Sequence, residues 1–464
     1  MTELIGHEQL HRTAKYFMDN GRAATHEDAI GILRGFGLSI HVGPEVAVSA
    51  QHQIALLTLV NLARRTFLGG IEAVSVPDAP LLVPLATASS LSEAVRMLGA
   101  TAVPRRCGAW PVAQIGTCDE PDDKLPEWRL TFGGWRGGVV PARGGQRLAE
   151  KAGNPLGAAL AAAACAAELF SWYAKDHPMA GKRAAGMSLW KPGTDWKAED
   201  PTEPRLAYLP SRLWLIGLGN LGQAFAWLLA CLPYADRGKV ELLLQDFDRM
   251  AASNDSTSVL SSLDLVGQKK TRAVAAWLER VGFTTELEER RFGAWTVRSP
   301  DEPGAALCGV DNPMARAALD KPGFDLVVEA GLGAGPDGFR NFSMHTFPAS
   351  RRADQIWSGQ KSRTIDVSAM PAYAALRKSG LDDCGLAQLA SRTVGVPFVG
   401  LIAGVLTVAE LLRRLHGADG LELVAGSVAS LGDIEACYAP SQPYASGFVP
   451  VASEKLPEES LVER

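Results

Sequence analysis

The sequence predicts an α/β protein made of two Rossmann-like halves with mainly parallel, partly mixed sheets, the second half carrying an intact nucleotide turn. Three observations predict it. An apolar strand over 213–216 runs into Gly217-Leu-Gly219-Asn-Leu-Gly222 and then an apolar helix over 223–232. A second apolar strand, 240–244, ends on Asp246-Phe-Asp248. The first half repeats the order of strand, turn, helix and strand between 38 and 76, but without the glycines.

Strand, glycine turn, helix, strand and acid form the first part of a nucleotide-binding βαβ unit. One glycine permits the tight turn, one lets backbone N–H groups approach a phosphate, and one lets helix and strand pack closely. The acid at the next strand end can accept hydrogen bonds from ribose hydroxyls. A glycine turn alone says only that some nucleotide could sit there, and three motifs further along the chain narrow the choice. Asn254 comes six residues after Asp248, Gly267-Gln-Lys-Lys270 opens another helix, and Cys308-Gly-Val-Asp311-Asn312 closes a further strand. A nicotinamide site needs the glycines and one acid. The added lysine and second acid suit a triphosphate and a divalent metal.

GLGNLG, LQDFDRMAASN, VGQKK and GVDNPMAR, in that order, resemble the adenylation domain of ubiquitin-activating and sulfur-carrier-activating enzymes. The likeness extends to the activating enzymes of bacterial ubiquitination-like defence operons. It covers about 212–417 and implies an activity: ATP and Mg²⁺ adenylate the C-terminal glycine of a ubiquitin-like protein, which then passes to a cysteine as a thioester and on to a conjugating enzyme. It also implies roles. Gly217, Gly219 and Gly222 form the phosphate turn, Asp246 binds ribose, and Asp248 is the second acid of that motif. Asn254 and Asn312 join the ATP site, Lys270 binds phosphate, and Asp311 is linked to Mg²⁺. One departure stands out. Where the family has Asn-x-x-Arg, this chain has Asn254-Asp-Ser-Thr257, leaving Arg249, Arg272 or Arg22 as substitutes.

In the first half, Gly43-Pro44-Glu45-Val46 replaces the glycine turn. Proline removes a donor and glutamate repels phosphate, so this turn is not expected to bind ATP. A second echo supports duplication: Pro155 and Glu168 are spaced like Pro397 and Glu410, with small apolar residues between. The expected organisation is an inactive adenylation-like domain over 1–175, a linker over 176–205, an active domain over 206–435 and a tail from 436 to 464.

The remaining features constrain compartment and partners. A net charge of −5 and a pI near 6.0 argue against nucleic acid as the main partner. Seven cysteines with no C-x-x-C pair fit a reducing cytosol and predict no zinc. The first twenty residues are polar, and the apolar run at 394–409 is too short for a bilayer span, so no membrane role is expected. His7-Glu-Gln-Leu-His11 matches a zinc-peptidase pattern but lacks a third ligand, and reads as a chance match. Cys384, in an expected loop before the helix near 396, is the candidate thioester nucleophile, with Cys437 as runner-up. The alternatives are adenylation of a small peptide or acid without a thioester, and a non-catalytic scaffold.

Overall fold

The computed structural model describes residues 8–119, 125–151, 153–358, 370–440 and 442–452. The first half contributes β1 (Gly37–Val42), β2 (Gly70–Val74), β3 (Thr101–Val103), β4 (Val112–Ile115), β5 (Glu127–Gly133), β6 (Arg136–Pro141) and β7 (Ala185–Ser188). They form one sheet in the order β3-β2-β1-β4-β5-β6-β7, parallel as far as β5 and antiparallel beyond it.

After β8 (Tyr208–Pro210), the second half contributes β9 (Arg212–Ile216), β10 (Glu241–Gln245), β11 (Thr284–Glu288) and β12 (Ala305–Cys308). It continues with β13 (Leu326–Leu332), β14 (Asn341–Phe347), β15 (Gly420–Ser427) and β16 (Glu435–Ala439). Their order, β11-β10-β9-β12-β13-β14-β15-β16, repeats the first sheet and adds one strand. Again the first five run parallel and the rest antiparallel. A last strand, β17 (Phe448–Pro450), pairs with β8. Two Rossmann-like halves of one topology make this an α/β fold.

The spacing between proline and glutamate has a structural counterpart in both halves. Leu156–Ala174 and Pro397–Leu415 are long buried helices that pack on each other at the join between the halves. Glu168 accepts the N–H of Gly181 at 3.2 Å and pairs with Arg183 at 2.5 Å. Glu410 accepts the N–H of Leu421 at 2.9 Å and pairs with Arg413 and Arg414. Each carboxylate is buried, pairs with arginine and holds the chain entering the strand that follows its helix. Removing one partner of such a pair leaves a buried charge uncompensated. Leu156–Ala174 is long and apolar enough to cross a membrane, but 89% of its apolar window is buried inside the protein.

The expected linker is partly wrong. Ala185–Ser188 is the edge strand of the first sheet, paired with β6 from Arg136↔Ser188 to Val139↔Ala185. Four residues, three of them small, carry too little alternation to read as a strand. The expected tail likewise begins inside β16, which pairs with β15.

Candidate functional site

β9 lies where the strand order reverses, between β10 and β12, and ligands in open α/β sheets bind outside the carboxyl ends of strands at such a point. The glycine turn leaves β9 there. Gly217 has φ +82°, in the left-handed region that glycine tolerates. A Cβ on Gly222 would stand 1.9 Å from the Gly217 carbonyl oxygen, so helix and turn touch backbone to backbone. Gly219 caps the helix Asn220–Cys231, and a Cβ there would meet nothing within 4 Å. Packing dictates Gly222, whereas open space lies in front of Gly219.

Asp246 follows β10 and ties this turn to the next one. Its Oδ2 accepts the Leu218 N–H at 2.7 Å and its Oδ1 accepts the Asp248 N–H at 2.8 Å. Lys270 begins the helix Lys270–Val281 and is 9% exposed. Its Nζ donates to Asp248 Oδ2 at 3.0 Å and its N–H to the Asp248 carbonyl at 3.1 Å. Leu218, Asp246, Asp248 and Lys270 therefore form one hydrogen-bonded rim beside Gly217.

Asp311 is exposed, three residues beyond β12 on the strand beside β9. Asn312 caps the short helix Pro313–Arg316, accepting from Met314 N–H at 2.8 Å and Ala315 N–H at 3.3 Å. At the end of that helix Arg316 pairs with the wholly buried Glu329 on β13, which holds the Asp311 loop against the sheet. Asn254 lies in the 3₁₀ turn Ala252–Ser256 and accepts the Ala251 N–H at 2.9 Å.

The arginine missing at Thr257 has a neighbour that sequence reasoning overlooked. Arg12 comes from the first half, and its N–H donates to Ser256 Oγ at 3.0 Å. Its guanidinium donates to the Thr393 carbonyl at 2.7 Å and to Thr393 Oγ1 at 2.8 Å. A Cβ on Gly395 would meet Thr257 Cγ2 at 2.8 Å and Arg12 Cβ at 3.3 Å, so both flank one glycine. Burial and then the Arg392 charge pull the Arg12 guanidinium down to about 10, with the charge of Asp311 pushing it back up. The three expected substitutes are engaged elsewhere. Arg22 donates to the Ala174 carbonyl and lies over Phe17, Arg249 donates to the Gly267 carbonyl, and Arg272 pairs with Glu289.

The matching place in the first half is closed. Counting from the aligned ends of β4 and β12, Cys118 stands where the second half has Asp311. The Glu45 carboxylate accepts both the N–H of Thr117, at 2.9 Å, and its hydroxyl, at 2.5 Å. A carboxylate thus covers a backbone donor at this strand end. Of the H-E-x-x-H stretch, His7 lies outside the described residues, and His11 Nδ1 accepts the Ala14 N–H at 3.3 Å. Burial holds His11 down at about 4, with His26 adding to the effect. Among the described residues no group of three His, Cys, Asp or Glu side chains could hold a metal ion.

Cys384 does not lie in a loop. It sits in the first turn of the helix Asp383–Ser391, exposed, with Asp382 capping that helix through the Gly385 N–H at 2.7 Å. Cys437 is exposed on β16.

Comparison with known proteins now identifies the family. The chain is 57% identical over 450 residues to the bacterial E1-like protein BilD of Collimonas sp. (strain OK412), covering 97% of both chains. This chain belongs to the bacterial E1-like BilD family. Residues 37–189 match the BilD N-terminal domain and residues 209–418 the BilD C-terminal domain. Among solved structures it is similar to Escherichia coli MccB, at 14% identity and a TM-score of 0.34, over 51% of this chain and 66% of that one. It is also similar to the E. coli tRNA N6-threonylcarbamoyladenosine dehydratase TcdA in complex with AMP, at 16% identity and a TM-score of 0.29, over 44% and 85%.

Proposed function

We propose that this BilD-family protein adenylates the C-terminal glycine of a ubiquitin-like protein with ATP, then accepts it on Cys384 as a thioester for transfer to a conjugating enzyme. The observation that carries this reading is the placement of three groups at the ends of adjacent parallel strands. A glycine turn follows β9, Asp246 with its lysine-paired neighbour Asp248 follows β10, and an exposed aspartate follows β12.

In this reading the triphosphate lies across the Gly219 turn, where backbone N–H groups and the open space favour an anion. Asp246 orients the ribose while holding the turn. A carboxylate oxygen of the glycine attacks the α-phosphorus, the bond to the bridging oxygen breaks, and pyrophosphate leaves with the electron pair. Lys270 and Arg12 offset the charge that builds on the departing pyrophosphate. Mg²⁺ usually binds through one or two carboxylates plus phosphate oxygens, so the exposed Asp311 fits it without an all-protein cage. Asp311 would hold the ion, which supplies charge neutralisation on the phosphates when bound. The Cys384 thiol then attacks the acyl carbon, loses its proton to solvent and releases AMP.

The test is ATP–pyrophosphate exchange in the Lys270→Ala and Asp311→Ala variants. Each is expected to lose on the order of 10²-fold or more, the effect of removing a group that stabilises developing charge. Unchanged exchange in both would place the reaction elsewhere.

A further inference from the structure

The loop that carries Asn254 and leads to Thr257 is held from the inactive half. The helix Ala50–Ala63 ends in Arg64 and Arg65, and both reach across the join. Arg65 is 3% exposed and directs its donors at one loop. It donates to the Asp255 carbonyl at 2.5 Å, Asp255 Oδ1 at 3.2 Å, the Val259 carbonyl at 2.9 Å and the Ser261 carbonyl at 3.0 Å. Its Nε donates to Asn61 Oδ1 at 3.1 Å, and Asn61 Nδ2 donates in turn to the Val259 carbonyl at 3.0 Å. Arg64 adds bonds to Asp255 Oδ1 at 3.0 Å and the Ser261 carbonyl at 2.9 Å.

The equivalent helices of the two halves differ here. The helix equivalent to Ala50–Ala63 in the second half, Asn220–Cys231, ends in Leu232-Pro233-Tyr234 and offers no arginine to the first half. The half that receives Arg65 is the half with the glycine turn. The loop it fixes presents Asn254 one residue before Asp255, and Ser256, which holds the Arg12 backbone, one residue after it.

We propose that Arg65, with Arg64, is a positioning residue: the inactive half sets the register of the 254–261 loop, and through it Asn254 and Arg12, for ATP. This rests on the adenylation reading, so the test has one arm that does not. Replacing Arg65 by lysine keeps a charge but loses the planar fork, which a single ammonium cannot replace. R65K is expected to raise the KM for ATP in pyrophosphate exchange at least tenfold, with kcat changing less. Amide hydrogen exchange over 254–261 should rise while the strands of both sheets keep their protection.

Should R65A fold, guanidinium chloride at tens of millimolar should restore part of the ATP affinity, whereas equal sodium chloride should not. The milder R64A should show the same KM shift, reduced in size, if R65A does not fold. Wild-type kinetics and wild-type loop protection in R65K would overturn the proposal. So would a loss of protection spread over both sheets, which would mark Arg65 as a general packing element. Loosening of the 254–261 loop in a protein whose wild type shows no exchange at all would support the positioning role and count against the adenylation reading alone.

Discussion

Gly219 and Gly222 offer a paired perturbation that separates fold from ligand. In Gly222→Ala the new methyl would stand 1.9 Å from the Gly217 carbonyl oxygen, where the carbon needs more than 3 Å. Helix Asn220–Cys231 would have to retreat by over an ångström, and misplacement on that scale costs on the order of 10²-fold in a positioned reaction. Overpacking of this kind also destabilises by about 1–3 kcal/mol. In Gly219→Ala the methyl meets no protein atom within 4 Å, and φ is an ordinary −81°. The cost to folding is about 1 kcal/mol or less, the difference between glycine and alanine at a helix N-cap. Yet that methyl points into the space assigned to the phosphates. Both variants should therefore lose ATP binding, measured by calorimetry, but only Gly222→Ala should lose clear stability in urea. ATP binding by Gly219→Ala with wild-type affinity would refute the placement of the nucleotide.

Other consequences are as specific. Arg12→Ala should reduce pyrophosphate exchange at least tenfold while Arg22→Ala leaves it unchanged; the reverse result would return the role to Arg22. His11 is held at about 4 against 6.5 when unfolded, so the unfolded chain binds a proton that the native state does not between those values. Stability from this group is full above pH 6.5 and is lost as the pH falls towards 4, by about 3 kcal/mol at 1.36 kcal/mol per pKa unit. Urea midpoints should show that decline, and His11→Asn should flatten it. Cys384→Ala should keep exchange but lose any thiol-sensitive adduct with the ubiquitin-like protein, whereas Cys437→Ala keeps both. Exchange without an adduct in the wild type would favour adenylation of a substrate that never forms a thioester.

What was legible in the sequence was whatever local spacing encodes. The glycine turn, Asp246 and Lys270 share one βαβ unit, so their order on the chain is their order around the crevice. The repeat of the two halves was visible because Glu168 and Glu410 stand at the same distance from a proline. Arg12 was not legible: its bonds to Ser256 and Thr393 span 244 and 381 residues, and no local pattern marks an arginine for such a contact. Arg65 was hidden for the same reason. Cys384 is a different kind of miss. Asp382 followed three residues later by Gly385 was an available helix-start signal, since an aspartate favours the N-cap, but flanking glycines made the stretch read as a loop. The Asp-x-x-Gly spacing was the better guide.

At the centre stands the adenylation of a protein's C-terminal glycine. The most direct measurement is ATP–pyrophosphate exchange by the wild-type protein with a ubiquitin-fold protein ending in glycine, intact and with that last residue removed. Exchange should depend on the intact partner and fall to background with the shortened one. Equal exchange with both, or without either, would contradict the claim.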